Sequence, residues 1–135
     1  MNTKTFNEAK LKFTEGIKFF NEENYELAEK NFLESLNLAP QRLSVISNLI
    51  KIYIFRKKIQ KLDDILIKYK NLDNEKEILF GKAYNYFFKK NFDQSIKICK
   101  QIVNNNDIKY PIQDLLASNF KNKGNFLEAL RIYKN

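Results

Sequence analysis

The chain has 135 residues, of which 44% are hydrophobic and 30% charged, and its formal net charge is +8. This size and balance predict one modest folded domain rather than a disordered chain. The sequence has no histidine, one cysteine and three separated glycines, which argues against His-based catalysis, zinc clusters, internal disulfides and Gly-rich phosphate loops.

The N-terminal residues and the length of the apolar stretches indicate where the protein is located. The N-terminal residues lack the apolar core of a secretory signal, and the longest uncharged apolar stretch, residues 43–50, is much shorter than a membrane helix of about 20 residues. We therefore expect a cytoplasmic protein with no membrane partner.

The positive charge is concentrated in the second part of the chain. Residues 1–42 carry six basic and seven acidic groups, whereas residues 43–135 carry eighteen and nine. The basic second half favours anionic partners, although the many Lys, Asn and Ile residues are also typical of an AT-rich genome.

An internal repeat is the main signal along the chain. Segments 24–32, 91–99 and 125–133 resemble one another, and a weaker copy begins at residue 59. Their first bulky residues are spaced 34, 33 and 34 apart, at Tyr25, Ile59, Phe92 and Phe126. A second column with the same spacing is mostly small, at Ala28, Leu62, Ser95 and Ala129. A third column contains Phe32, Leu66, Cys99 and Tyr133. Self-similarity at this period predicts a repeat architecture.

Each repeat also has an upstream helix signal. A small residue precedes an aromatic one by three positions in three of the copies, at Gly16 and Phe19, Ala83 and Tyr86, and Ala117 and Phe120. The weak repeat has Ile50 and Tyr53 instead. Apolar residues at i, i+3, i+4 and i+7 predict two helices per repeat. The helices are separated by short polar turns at residues 21–24, 56–58, 89–91 and 122–125.

Small residues and prolines predict how the helices pack and end. We expect Gly16 to face Ala28, and Ala117 to face Ala129, because two helices approach closely only where the side chains at the crossing are small. Pro40 should end the second helix of the first repeat, because proline breaks the hydrogen-bond ladder. Pro111 should lie in the first turn of a helix, where its missing N–H is harmless.

These motifs resemble the tetratricopeptide repeat family, whose unit is a 34-residue helix–turn–helix. The repeats cover approximately residues 9–42, 43–75, 76–109 and 110–135 of a single domain. The resemblance implies an all-α fold, a right-handed α-α superhelix (an α-solenoid) of helix hairpins. In repeat two, Ile50 and Leu62 replace the small residues, so we expect its helix pair to splay or shift. Repeat four stops within its second helix, which predicts either the N-terminal part of a longer protein or self-association through this uncapped helix.

The resemblance also implies a binding surface, because the first helices of such repeats line a concave face that holds an extended segment. The candidate residues on that face are Phe13, Ile17, Phe20, Asn48, Lys51, Ile54, Phe55, Phe80, Tyr84, Phe87, Phe88, Ser118 and Lys121. We expect one of Phe87 and Phe88 to pack inward and the other to face outward. A clamp for peptide carboxylates is disfavoured, since Phe13 and Ile17 occupy two places where it needs polar groups.

The charged residues and the single cysteine can be explained by roles in the fold. Basic residues near helix ends are Lys51, Arg56, Lys57, Lys58, Lys82, Lys89 and Lys90. They either complement helix C-termini or, with the aromatics, contact RNA. The spacing of Glu26, Lys30 and Glu34 predicts ion pairs along one helix. Cys99 lies in a packing column, so we expect a buried and unreactive thiol.

The leading functional hypothesis is a non-catalytic scaffold that binds a peptide or a neighbouring domain on the concave face, without a metal or cofactor. One alternative is the N-terminal appendage of a glycosyl-, sulfo- or methyltransferase whose catalytic domain lies beyond residue 135. The other is an RNA-binding solenoid, although only three arginines among 24 basic residues make nucleic acid the less favoured partner.

Overall fold

The computed structural model describes residues 2–104 and 109–134, with the side chains of all of these except residues 109 and 110. Within these ranges the chain forms α-helices and one short 3-10 helix, and no strand. The α-helices are α1 (Thr3–Asn21), α2 (Tyr25–Leu38), α3 (Leu43–Phe55), α4 (Ile59–Lys68), α5 (Lys76–Phe88), α6 (Phe92–Ile102), α7 (Lys109–Asn122) and α8 (Phe126–Lys134). The 3-10 helix, Lys70–Leu72, lies between α4 and α5 and has no counterpart in the sequence prediction.

The chain divides into two compact units, an N-terminal unit of Met1–Lys58 and a C-terminal unit of Ile59–Asn135. The N-terminal unit contains α1 to α3, and the C-terminal unit contains α4 to α8. The boundary falls between α3 and α4, inside the second predicted repeat. This is the repeat in which the larger residues Ile50 and Leu62 stand in the small-residue places, and both of these side chains are buried.

The turn that follows the first helix of each repeat has the same backbone conformation every time. Its left-handed residues are Glu23 (φ 60°), Lys57 (φ 52°), Lys90 (φ 63°) and Gly124 (φ 87°). In the first turn, the N–H of Glu23 donates to the carbonyl of Phe20, and that of Asn24 to the carbonyl of Phe19. The other three turns repeat this pair of bonds. The pattern is a Schellman motif. The spacing of 34, 33 and 34 is therefore present in the backbone, and the four predicted turns are confirmed.

Helix ends follow the local sequence signals. The side-chain oxygen of Asn24 accepts a hydrogen bond from the N–H of Leu27, and that of Asn125 accepts one from the N–H of Glu128. These are N-caps, which satisfy backbone donors that have no partner inside the helix. Helix α2 ends two residues before Pro40, and Pro111 lies in the first turn of α7, as the sequence predicts.

The α1–α2 crossing of the N-terminal unit is built around Gly16, which is buried. The neighbour of Gly16 is the ring of Phe32, one turn along α2 from the buried Ala28 that the sequence suggested. The closest side chain at Gly16 is therefore this large ring, for which the absent side chain makes room, and the pairing with Ala28 stays a prediction. A buried hydrogen bond of 2.6 Å from the Ser35 hydroxyl to the Ala9 carbonyl also joins the two helices.

The C-terminal unit has its own apolar core, formed by Ala83, Ile96, Ile98, Cys99, Ile102, Ile112, Leu115 and Leu116. A buried polar chain runs through it. The Ser95 hydroxyl donates to the Ala83 carbonyl at 2.8 Å and accepts from the Asn119 amide at 2.8 Å. Because buried polar groups are costly without partners, this chain of bonds fixes the positions of α5, α6 and α7. Ala117 and Ala129 are both buried as well.

Glu34 and Glu26 each pair with a cation from another part of the fold, whereas Arg131 and Glu128 pair within α8. Glu34 contacts Lys12 at 2.9 Å, and Glu26 contacts Arg56 at 3.9 Å. The close partners of these glutamates are therefore not Lys30. A hydrogen bond from Lys12 lowers the pKa of the Glu34 carboxyl, and the charge of Lys30 adds a smaller effect in the same direction. Exposed ion pairs of this kind contribute little in water.

Candidate protein-binding surface

Phe13 on α1 is half-buried and takes part in helix packing. Its ring centroid lies 5.8 Å from that of Phe32. The guanidinium of Arg42 lies 5.9 Å from the Phe13 centroid and 5.5 Å from that of Phe6. Both distances are within the range of cation–π attraction. Arg42 therefore covers part of the ring that the sequence assigned to a binding face.

Phe20 belongs to an N-terminal aromatic cluster with Tyr25 and Phe55. The ring centroids are 5.5 Å apart for Phe20 and Tyr25, 6.2 Å for Phe20 and Phe55, and 6.3 Å for Tyr25 and Phe55. Phe55 retains 59% of its surface exposed although it is a large apolar residue. Tyr25 was predicted only as a packing residue, and its position at the start of α2 brings it to this surface.

The remaining candidates of the N-terminal unit differ in accessibility. Ile17 is half-buried and Lys51 is exposed. The half-buried side-chain amide of Asn48 donates to the Ser44 carbonyl of its own helix at 2.8 Å. Ile54 is only 8% exposed, so its assignment to the binding face is wrong. Ile54 shares a helix face with the buried Ile50 and Ile46, which lie four and eight positions before it.

An aromatic row lies along α5 in the C-terminal unit, and we call Phe80, Tyr84 and Phe88 the α5 row. These residues are spaced i, i+4 and i+8, so they share one helix face. The centroids of Phe80 and Tyr84 are 5.1 Å apart, and those of Tyr84 and Phe88 are 6.0 Å apart. All three rings are half-buried. Burial raises the pKa of the Tyr84 hydroxyl, with smaller contributions from Cys99 and Asp114, so the hydroxyl is a proton donor at neutral pH.

Phe87 and Phe88 have different neighbours. Phe87 packs against the core of the C-terminal unit and contacts Phe92, with centroids 5.9 Å apart. Phe88 contacts the rings of Tyr84 and Phe87 and is also half-buried. Neither ring is fully exposed. The expectation that one ring packs inward therefore holds for Phe87, and the expectation that the other faces outward does not hold for Phe88.

Two candidates lie on α7. Lys121 is exposed in the last turn of the helix, and Ser118 is half-buried. The carbonyl of Ser118 accepts a hydrogen bond from the side-chain amide of Asn122 at 2.7 Å.

Several basic residues that the sequence offered for RNA contact are paired with carboxylates. Besides the Arg56–Glu26 pair, Lys89 contacts Asp63 at 2.8 Å and Lys82 contacts Asp73 at 3.8 Å. These contacts reduce the positive charge that is free to meet phosphates.

Reactive groups for catalysis or metal binding are scarce. Cys99 is buried, as expected, and burial raises the pKa of its thiol to about 11, which disfavours the reactive thiolate. In the part of the chain that the structure describes, no three Asp, Glu, Cys or His side chains converge as a set that could hold a metal ion. Likewise, the helices within residues 2–104 and 109–134 include none with the length and apolar character needed to cross a bilayer.

Comparisons with known proteins establish the fold. No family model matches the chain, and no curated protein matches it. Two solved structures titled "MamA AMB-1", in the P212121 and C2221 crystal forms, match with TM-scores of 0.67 and 0.68 and 19% sequence identity. The alignments cover 93% of this chain and 69% and 75% of the two MamA chains. The chain therefore has the all-helical repeat fold of those structures.

Proposed function

We propose that this chain is a non-catalytic protein-interaction module of the tetratricopeptide type, which binds an extended peptide or a neighbouring domain through the first helices of its hairpins. The α5 row is the observation that carries the proposal. Phe80 and Tyr84 pack in part against the core of the C-terminal unit, and the three half-buried rings on this helix face keep apolar area that a partner can cover. Aromatic residues are enriched where proteins recognise one another.

The candidate rings are all half-buried, so the proposal assigns their roles from their contacts. Rings at partly open positions, Phe20, Phe80, Tyr84 and Phe88, supply apolar contact. Lys51 in the N-terminal unit and Lys121 in the C-terminal unit are exposed, and each supplies polar contacts within its own unit. Phe13 and Phe87 pack within their own units, Ile17 is half-buried, and Asn48 is held by its bond to Ser44. The hydroxyl of the half-buried Tyr84 is a hydrogen-bond donor in an otherwise apolar row.

Selection from a displayed library of random peptides tests the proposal with ligands of known sequence. We expect enriched peptides with apolar or aromatic residues, whose affinity is then measured by fluorescence anisotropy. Phe88→Ala should weaken them about tenfold. Ile67→Ala is the matched control, since Ile67 is 62% exposed on the second helix α4. The proposal is contradicted if no sequence is enriched, or if Phe88→Ala and Ile67→Ala have equal effects.

RNA binding is the competing function, and its salt dependence separates it from peptide binding. Binding to phosphates releases counterions and therefore weakens steeply as salt is added. A single-stranded oligonucleotide that bound tightly with a steep salt dependence, in the absence of peptide enrichment, would replace our proposal. Peptide binding to the α5 row depends on apolar contact, so we expect it to vary little with salt.

A further inference from the structure

Two clefts lie at equivalent turns of the repeat, one in each compact unit. The acidic turn cleft, of about 670 Å³, is lined by Glu22, Glu23, Asn24, Tyr25, Glu26, Phe55 and Arg56. The basic turn cleft, of about 160 Å³, is lined by Lys90, Asn91, Phe92, Asp93 and Lys123. Equivalent positions in the two clefts are 67 residues apart. Even the ion pair is repeated, since Glu26 contacts Arg56 in one and Asp93 contacts Lys123 in the other.

The clefts differ in the sign of a charge or in the presence of an aromatic ring at three positions. Glu22 and Glu23 in the acidic turn cleft correspond to Lys89 and Lys90, and Phe55 corresponds to Asn122. The backbone is the same, because Glu23 and Lys90 have φ values of 60° and 63° and make equivalent hydrogen bonds. The turn therefore has the same backbone conformation with lysines and asparagine at these places, so its geometry does not require the two acids or the phenylalanine.

The acids are also unfavourable for the helix that carries them. Glu22 is the C-cap of α1, and Lys89 is the C-cap of α5. The C-terminus of a helix carries partial negative charge, which attracts cations and repels carboxylates. Lys89 follows this rule and Glu22 opposes it. A residue that breaks a local rule without a structural gain is often explained by function.

The chemistry of the acidic turn cleft is suited to a cation. The exposed ring of Phe55 and the ring of Tyr25 stand beside three carboxylates and one guanidinium, which leaves two net negative charges on a chain whose total is +8. Aromatic faces attract cations through their quadrupole, and carboxylates accept hydrogen bonds from them. A planar guanidinium can do both at once, since it stacks on a ring while its N–H groups reach a carboxylate.

We propose that the acidic turn cleft binds an arginine side chain of the partner, between the rings of Tyr25 and Phe55 and the carboxylates of Glu22 and Glu23. This inference rests on the proposed function, because it specifies one residue of the peptide or domain that is bound. The basic turn cleft has no equivalent of Phe55 and carries Lys90, so it does not bind arginine.

Titration of the full ¹⁵N-labelled chain with acetyl-arginine methylamide tests the inference by NMR. Acetyl-citrulline methylamide is the control ligand, because it has almost the same shape without the charge. We expect saturable shifts at the amides of residues 22–26 and 55–56, at least about fivefold tighter for arginine than for citrulline. The amides of residues 89–93 should not respond. Equal responses at both turns, or equal affinities for the two ligands, would overturn the inference.

The equivalent residues of the basic turn cleft provide the substitutions for a mutational test. Phe55→Asn, and the double change Glu22→Lys with Glu23→Lys, introduce the residues of the equivalent basic turn, and each should abolish the arginine response. Because lysine suits the helix C-terminus, the double variant should unfold at a temperature no lower than the parent. A folded variant that still binds arginine as the parent does would refute the inference.

The library selection separates this inference from the proposed function. Enriched peptides that contain arginine and bind the Glu22→Lys, Glu23→Lys variant more weakly than the parent support both the arginine site and the peptide-binding function. Enriched peptides without arginine, bound equally by this variant, would contradict the arginine site and leave the peptide-binding function standing. A failed selection would contradict the function, whereas the NMR titration would still decide the arginine site.

Discussion

The ring of Phe32 occupies the space that a side chain on Gly16 would need. A Cβ atom at residue 16 would lie 2.5 Å from Cε1 of Phe32. This contact explains why the small-residue place in the first repeat holds glycine, because α2 brings its largest fully buried side chain against that point of α1.

Gly16→Ala should therefore destabilise the protein by about 1–3 kcal/mol, because the added methyl group forces Phe32 out of position. The helix propensity of alanine offsets this loss by up to about 1 kcal/mol, and the clash is the larger effect. Urea unfolding followed by circular dichroism measures the change. An unfolding midpoint at or above that of the parent would show that the ring moves away without cost.

Substitutions at two turn residues with left-handed backbone should change the free energy of unfolding in opposite directions. Lys90 has φ 63°, a conformation that L side chains adopt at a cost, so Lys90→Gly should stabilise the chain by about 0.5–1 kcal/mol. Gly124 has φ 87° with open space around its absent Cβ, so Gly124→Ala should cost about 1 kcal/mol through the backbone alone. Thermal unfolding of the two variants checks this, and changes of the same sign would contradict it.

Substitutions in the small-residue column should overpack the helix crossing at two positions and leave a cavity at a third. Ala28 and Ala129 are buried, so replacement of either by Leu should cost about 1–3 kcal/mol. Leu62 is fully buried in the same column, and Leu62→Ala should cost about 2–5 kcal/mol as a cavity. Denaturant unfolding measures all three. Midpoints unchanged from the parent would show that these residues do not lie at the helix crossings.

The thiol of Cys99 should resist alkylation in the folded protein. Since burial raises its pKa to about 11, the thiol remains protonated at pH 8, and the chain must open before iodoacetamide can reach it. Labelling should be slow in buffer and fast in denaturant, as mass spectrometry can follow. Rapid stoichiometric labelling of the native protein at pH 8 would contradict the burial.

The outer face of α8 predicts self-association. Leu130 is 51% exposed and Tyr133 59% exposed, whereas Ile96 and Cys99, at the equivalent positions of α6, are buried. Exposed apolar patches drive association, so we expect sedimentation to depend on protein concentration, and Leu130→Glu to remove this dependence. Leu33→Glu is the control, because Leu33 is exposed on α2. A concentration-independent monomer whose α8 amides exchange as slowly as those near Ile96 would contradict the prediction.

The hairpins were predictable because their signals are local. Asn24 and Asn125 cap helices, Pro40 follows one, and the polar turns recur at a fixed period. Contacts between helices were not predictable in the same way. The repeat pattern places Gly16 and Ala28 in packing columns, but the size of Phe32 decides what Gly16 meets. The partner of Glu34 is Lys12 on another helix, and helical spacing alone could only suggest Lys30.

The candidate surface was predictable as a set of helix faces and less so residue by residue. Spacing places Phe80 and Tyr84 on one face of α5, and their ring contact agrees with that. The burial of Ile54 and the cover of Phe13 by Arg42 depend on side chains from other parts of the fold. The pairing of Tyr25 with Phe55 likewise joins residues from separate repeats.

Hydrogen exchange with and without a saturating selected peptide tests the central claim, that the first helices carry the binding surface, most directly. We predict slower amide exchange along α5, with α4 and α8 unchanged, and loss of this protection in Phe88→Ala but not in Ile67→Ala. Protection confined to α4 and α8, and retained in Phe88→Ala, would contradict the account and place the partner on the second helices.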